Sequence, residues 1–99
     1  MLFAFSVAPT VSEAKDGSVS EAVAAAIKVV RDSGISHRTD AMFTTLEGEW
    51  DECMAVIKRA CEVVGEYSPR VSLVVKADLR PGHTGEIDGK VERVETLLG

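Results

Sequence analysis

The chain has little of several residue types that mark common classes of protein. Its 99 residues include two cysteines and three prolines, and only 5% are aromatic. Two cysteines cannot build a disulfide framework, and a helix would hold Cys53 and Cys61 about 12 Å apart, too far for a bond to each other. The cysteines are therefore interpreted as buried small side chains, and they favour a reducing, cytoplasmic compartment.

Basic residues and long apolar runs are also scarce. The formal net charge is −5, and the eleven basic residues are scattered along the chain. Because a phosphate backbone is held by clustered Lys and Arg, this balance argues against a nucleic-acid partner. No segment approaches the roughly 20 apolar residues that span a membrane. The opening "MLFAFSVAP" lacks the positive start of a secretory signal, and it is predicted to be a buried strand.

Recognisable catalytic and metal-binding motifs are missing as well. The sequence has no Cys-x-x-Cys, and His37 and His83 stand alone, which argues against a metal site. No Gly-rich phosphate loop occurs, and no nucleophile and base can be paired convincingly. The sequence therefore predicts a protein that is not an enzyme and needs no metal or cofactor.

Hydrophobic periodicity is clear and predicts an α+β order. A capping-box spacing at Ser18 and Glu21 indicates the start of the first helix, and Gly34 its end. The predicted strands cover 2–8, 36–39, 42–46 and 71–78, and the predicted helices follow "DG" at 16–17, cover 50–64, and occupy the tail "EIDGKVERVETLLG". The apolar stripe of the first helix is predicted to be Val19, Val23, Ala26, Ile27 and Val30, and that of the last helix Ile87, Val91, Val94 and Leu98.

The order strand, helix, strand, strand, helix, strand is the split βαβ pattern of a ferredoxin-like sandwich. We expect a single domain over residues 1–99, with a four-stranded antiparallel sheet, helices on one face and a short C-terminal helix. The open face is expected to expose Phe3 or Phe5, together with Phe43 and Val74. A patch of that kind invites a partner, so the chain is predicted to form a homodimer or homotetramer.

The segment "TTLEGEWDE" at Thr44 carries the chemistry that the rest of the chain lacks. Alternation along a strand places Phe43, Thr45 and Glu47 on the open face. Glu47 has two interpretations: it is solvated or pairs with Lys76 or Arg80, or it binds a nitrogen-rich heterocycle on which Phe43 stacks. The acids after it belong to the start of the next helix, where carboxylates favour the helix dipole.

The phrases "SVAP", "TTLEGEWDECMAVIKRA" and "IDGKVERVETLL" together resemble the small thiamine-binding protein family (YkoF-like), over nearly the whole chain. The resemblance implies a ferredoxin-like, non-enzymatic binder of thiamine or its hydroxymethylpyrimidine moiety, with ligand held near subunit contacts of a dimer or tetramer. It nominates Ser6, Thr44, Thr45 and Glu47 as ligand-binding residues, and the face argument adds Phe43. The chain departs from the family at "DAM", residues 40–42, where a Gly-Pro turn is common.

Two other functions remain open from the residues. One is a regulatory amino-acid-binding module of the same topology, which would hold a carboxylate at a helix N-terminus. The acidic start of the helix at Trp50 argues against it. The other is a structural oligomer without a ligand, which nothing in the sequence excludes.

Overall fold

The computed structural model describes residues 1–10 and 17–99, apart from the side chains of residues 17 and 18. The elements, in chain order, are β1 (Leu2–Pro9), α1 (Gly17–Ser33), β2 (Ser36–Thr39), β3 (Thr44–Glu47), α2 (Trp50–Gly65), β4 (Val71–Asp78) and α3 (Glu86–Leu98). The predicted turn at Asp16 and the Ser18 cap lie outside the described residues and side chains.

The four strands form one antiparallel sheet in the order β2-β3-β1-β4. The prediction of a ferredoxin-like α+β fold is therefore confirmed. The central strand β1 pairs with β4 along its whole length, from Leu2 opposite Asp78 to Pro9 opposite Val71. It pairs with the shorter β3 only from Leu2 opposite Glu47 to Phe5 opposite Thr44. This difference in strand length leaves the second half of β1, residues 6–9, without a neighbour from β3.

The core lies between the sheet and the two helices α1 and α2. Phe3 and Phe5 are buried on the helix-covered face, where they sit opposite Leu46 and Thr44 of β3. The expectation that Phe3 or Phe5 lies on the open face is wrong. Because side chains alternate along a strand, the even-numbered residues of β1 face the other way. Val74 does lie on the open face, and it is 53% exposed.

The buried stripe of α1 differs from the predicted one. Of the predicted stripe, Ala26 and Val30 are buried as expected, but Val19 and Val23 are 42% and 40% exposed, and Ala22, which was not predicted, is buried. Both sets fit a helical repeat, but the observed rotation of α1 directs its alanines inward. Small residues at these positions fit between α2 and β1, both of which α1 contacts.

Helix α2 follows its prediction more closely. Its buried positions include Cys53, Ile57 and Val64, at helical spacing. Trp50, the first residue of the helix, is 47% exposed. Its ring still meets that of Phe3 edge-on, with the ring centroids 5.6 Å apart.

Helix α3 extends from the body of the molecule. Of its predicted anchors, Val91, Val94 and Leu98 are between 49% and 80% exposed, and Ile87 alone is partly buried. The prediction of a packed apolar stripe is therefore wrong for most of this helix within one subunit. Instead α3 meets the open face of the sheet through polar contacts, including the ion pairs of Arg38 with Asp88 and of Lys90 with Asp78. None of the described helices is both long enough and apolar enough to cross a membrane.

Candidate functional site

A cavity of about 230 Å³ opens between the last part of β1, the turn joining β2 to β3, and helix α1. We call it the hairpin cavity. It exists because β3 begins only at Thr44, opposite Phe5, while β1 continues to Pro9, so that the turn and α1 border a gap beside β1. The residues that line it are Phe5, Ser6, Val7, Ala8, Val23, Ala26, Ile27, Thr39, Asp40, Ala41, Met42, Phe43 and Thr44.

The turn that borders the hairpin cavity is tight. The N–H of Asp40 donates to the carbonyl of Phe43 at 2.9 Å, which leaves Ala41 and Met42 as the loop. Strand β3 therefore begins at Thr44 rather than at Met42, where the hydrophobic pattern predicted its start. The Met42 side chain is 77% exposed at the tip of this turn.

The walls of the hairpin cavity are mostly apolar, with a few polar groups. The hydroxyls of Thr39 and Thr44 lie 3.1 Å apart and share a hydrogen bond, and Thr44 is buried. Asp40 is the single ionisable residue among those that line the cavity. An apolar enclosure with a small number of placed polar groups is typical of a small-molecule site.

The size of the hairpin cavity limits what it holds. Pockets for drug-sized ligands usually measure roughly 300 to 1,000 Å³. At about 230 Å³ the hairpin cavity lies below that range. It suits one small ring, or one part of a larger ligand whose remainder stays outside.

The structure divides the predicted site residues into two groups. Ser6, Phe43 and Thr44 all line the hairpin cavity. Thr45 lines a separate cavity of about 200 Å³ on the open face, beneath α3. Thr44 and Thr45 point to opposite faces of the sheet, as strand alternation requires, and Thr45 is the one that faces α3.

Glu47 has a partner that sequence reasoning did not anticipate. Its Oε2 accepts a hydrogen bond of 2.8 Å from the N–H of Glu86, the first residue of α3. The residue before it, Gly85, has a φ of 68° and offers no side chain as a cap. Glu47 therefore satisfies one of the free N–H groups at the start of α3. Its part in ligand recognition stays a prediction.

Sequence reasoning missed the α1 residues that form one wall of the hairpin cavity, namely Val23, Ala26 and Ile27, and it did not nominate Asp40. One signal in the sequence pointed towards the gap. The apolar run of β1, predicted over 2–8, is longer than the strand predicted over 42–46, so a difference in strand length was foreseeable. Which helix would border the gap depended on tertiary packing.

The cysteines are poor candidates for covalent chemistry. Burial, with a smaller contribution from the Glu52 charge, raises the pKa of the Cys53 thiol to about 11. Burial likewise raises the pKa of Cys61. Both are free thiols, and at neutral pH they stay protonated and weakly nucleophilic. Within the described ranges, no three His, Cys, Asp or Glu side chains come together in a metal-binding group.

Sequence comparison finds relatives that span almost the whole chain. The UPF0045 protein Mb1933 of Mycobacterium bovis is 52% identical over 100 residues, which cover 99% of this chain and 94% of that protein. The UPF0045 protein sll0230 of Synechocystis is 37% identical over 82 residues, covering 82% and 68%.

Solved structures show the same fold. A domain of unknown function, DUF77, from Bacillus cereus matches with a TM-score of 0.80 and 38% identity, covering 91% of this chain and 85% of that one. A Thermotoga maritima protein, whose proposed role is thiamine biosynthesis or salvage, matches with a TM-score of 0.78 and 26% identity, covering 94% and 96%. The family model for thiamine-binding proteins matches residues 3–95. The chain therefore belongs to the thiamine-binding protein family.

Proposed function

We propose that this protein is a non-enzymatic binder of thiamine or of its hydroxymethylpyrimidine moiety, and that the ring of the ligand enters the hairpin cavity. The observation that carries this proposal is that three residues nominated from the sequence, Ser6, Phe43 and Thr44, line one cavity of suitable size. Membership of the thiamine-binding family supports the ligand class. The acidic balance of the chain suits the cationic thiazolium of thiamine.

The chemistry of the cavity favours binding over catalysis. The hydroxyls of Thr39 and Thr44 bond to each other, so neither is paired with a base that would activate it. Asp40 is a single carboxylate without a second acid or base in the lining. These groups can orient a ligand, and Phe43 can stack on its ring.

Thr45 and Glu47 have a place in this proposal only if ligand also reaches the open face. The cavity beneath α3 contains Thr45 together with Arg38 and Lys90. Asp40 and Glu86 line it as well, so its charges balance and it offers a cationic ligand no net negative charge. We therefore assign the ring of the ligand to the hairpin cavity and propose that Glu47 holds α3.

We further propose that copies of the chain associate. Val74 on the open face is 53% exposed, and Val94 and Leu97 of α3 are 55% and 86% exposed. Exposed apolar side chains of this kind are typical of a surface that a second subunit covers. A cytoplasmic location, proposed from the free thiols, agrees with a metabolite-binding role.

Thermal unfolding with and without ligand tests the proposed function. A hundredfold excess of ligand over its dissociation constant adds about 2.7 kcal/mol to the free energy of unfolding. In a domain of this size, that gain raises the melting temperature by roughly 10 to 20 °C. Thiamine and hydroxymethylpyrimidine are tested separately, up to millimolar concentration. The absence of a shift with both compounds would favour a structural oligomer without a ligand.

A matched pair of variants locates the site. Phe43→Ala removes the ring that borders the hairpin cavity, and we expect affinity to fall roughly two- to tenfold from lost stacking. Tyr67→Ala removes another partly exposed aromatic ring that lies outside the cavity lining, and it should leave affinity unchanged. Equal effects of the two changes would contradict the assignment to the hairpin cavity.

A further inference from the structure

The direction of each main-chain group in β1 follows from two hydrogen bonds at its ends. The N–H of Gly48 donates to the carbonyl of Met1 at 3.1 Å, so Met1 turns its carbonyl to the β3 side. The N–H of Thr10 donates to the carbonyl of Arg70 at 3.0 Å, so Thr10 turns to the β4 side. The N–H and C=O of one strand residue point to the same side, and the side alternates along the strand. Odd-numbered residues of β1 therefore face β3, and even-numbered residues face β4.

Val7 is an odd-numbered residue of β1 that has no paired residue in β3. Pairing with β3 stops at Phe5 opposite Thr44, whereas pairing with β4 continues to Pro9. In the part of the chain that the structure describes, β3 thus has no residue paired with Val7. Val7 also lines the hairpin cavity, which occupies the space where a longer β3 would lie. Its main-chain N–H and C=O are consequently directed into that cavity.

An unpaired main-chain donor and acceptor at a partly buried position call for a partner. Leaving such groups without hydrogen bonds costs free energy, and most are satisfied by protein, water or ligand. In an antiparallel sheet, a residue of a hydrogen-bonded pair normally bonds to the partner strand through both its N–H and its C=O. A planar molecule that carries a donor beside an acceptor can replace the missing strand there.

We infer that the Val7 main-chain N–H and C=O recognise the ligand, and that the ligand class is a planar heterocycle with an amino group next to a ring nitrogen. The amino group donates to the Val7 carbonyl, and the ring nitrogen accepts from the Val7 N–H. This inference rests on the proposed function and adds the groups that would select the aminopyrimidine ring. Phe43 and the Thr39–Thr44 hydroxyl pair border the same space. No carboxylate is needed in this mode of binding.

Amide exchange in the ¹⁵N-labelled protein tests the inference, with thiamine as the probe. In the free protein, the Val7 amide should exchange faster than those of Ser6 and Ala8, which face β4. At saturating thiamine, exchange at Val7 should slow by roughly tenfold or more, while Ser6 and Ala8 change little. The two neighbours are internal controls, because any general stabilisation of β1 would protect all three amides.

A ligand analogue gives an independent readout. Oxythiamine replaces the amino group by a carbonyl oxygen, which reverses the donor and acceptor order at that edge of the ring. We expect it to bind roughly ten- to hundredfold more weakly than thiamine. Thiamine binding without protection of Val7, or equal affinity for oxythiamine, would overturn this inference and leave the proposed function standing. If thiamine does not bind at all, the proposed function fails, and the inference fails with it.

Discussion

Glu47 shows how the role of one side chain depends on what the rest of the chain brings to it. By strand alternation it belongs on the open face, and there it meets the first N–H of α3 at 2.8 Å. A carboxylate at a helix start is favoured by the helix dipole and by the free N–H groups. This contact joins β3 to α3, two elements 39 residues apart in sequence.

Replacing Glu47 by Gln should loosen α3 without removing the ligand site. The amide still accepts a hydrogen bond but has lost its charge, so we expect a loss of about 1 kcal/mol in the local stability of α3. Amide exchange at Glu86 would then rise roughly fivefold. Thiamine affinity should change by less than about threefold, because the change lies outside the hairpin cavity.

Glu49→Gln is the control for this variant. Glu49 stands at the start of α2, is exposed, and makes no side-chain capping bond. We expect it to leave both α3 exchange and affinity unchanged. A tenfold or greater loss of affinity confined to Glu47→Gln would show that Glu47 binds the ligand and that the hairpin cavity is not the whole site.

Gly48 allows a close approach between the end of β3 and the start of α2. A Cβ built at Gly48 would lie 3.1 Å from the Sγ of Cys53, which is fully buried, and would collide with the Glu52 carboxylate. The Glu52 side chain is exposed and can move, but Cys53 is held by the core. We expect Gly48→Ala to lower the free energy of unfolding by about 1 to 3 kcal/mol, as measured by urea denaturation.

Gly89→Ala provides the opposite case in the same experiment. Gly89 lies within α3, where an added Cβ would meet only the Arg93 guanidinium, at an ordinary 3.6 Å. Alanine favours a helix over glycine by up to about 1 kcal/mol. We expect this variant to be neutral or stabilising. Destabilisation of both variants to the same degree would argue against a specific contact at Gly48.

At the scale of secondary structure elements, α3 differs from the other two helices. Helices α1 and α2 are held by buried apolar side chains, whereas α3 is attached by charges. Arg38 and Lys90 join it to the sheet through Asp88 and Asp78 respectively, and Glu47 caps its start. Exposed ion pairs contribute little individually and are screened by salt. Helix α3 is therefore expected to be the least stable described helix of an isolated subunit.

Acid should weaken α3, both in its attachment through Asp78 and in its internal ion pair between Glu86 and Arg93. The hydrogen bond from Lys90 lowers the pKa of Asp78 below its usual value of 3.8, and the hydrogen bond from Arg93 lowers that of Glu86 below 4.5. A carboxyl with a lowered folded-state pKa contributes stability above its unfolded pKa and loses it as the pH falls through the folded one. Amide exchange in α3 should be steady between neutral pH and about 5, after correction for intrinsic rates, and rise below about 4.

The amides of α2 are the internal control for this titration, because buried residues such as Cys53, Ile57 and Val64 hold that helix. They should keep their protection where α3 has lost its own. Lys90→Gln should remove the part of the effect that belongs to Asp78. Simultaneous loss of protection in α2 and α3 would instead indicate global unfolding.

At the scale of the whole molecule, the subunit is extended and incompletely covered. Its radius of gyration is 14.8 Å and its dimensions are 48 × 30 × 20 Å. A compact domain of 100 residues has a radius of gyration of about 13 Å. The apolar Leu97 and Leu98 near the end of α3 are 86% and 80% exposed. Strand β4 also has largely exposed side chains on both faces.

We expect this surface to be covered in a homodimer or homotetramer. Light scattering at micromolar concentration should give a mass of at least twice the 10.6 kDa of one chain. Leu97→Glu should lower that mass by placing a charge in an apolar contact. Glu95→Gln, also exposed on α3 but polar, is the control. A monomer of the unchanged protein at that concentration would contradict the proposed association.

The fold could be predicted in detail because it depends on local signals. The spacing of apolar residues differs between strands and helices, and β2, α2 and β4 lie where the pattern placed them, within one residue. Three nominated residues, Ser6, Phe43 and Thr44, also share the hairpin cavity. They do so because they belong to neighbouring parts of β1 and the hairpin, and the order of elements already makes these strands adjacent.

By itself, the sequence determined the element order, the ferredoxin-like topology and membership of the thiamine-binding family. The tertiary structure alone decided which face of β1 is covered, how α1 is rotated and which partner Glu47 meets. The side chains of a strand point to two faces, and which face is covered depends on where the helices pack. In this protein the helices cover the face that carries Phe3 and Phe5. The gap beside Val7 has the same origin, because a main-chain group is free only where the neighbouring strand happens to end.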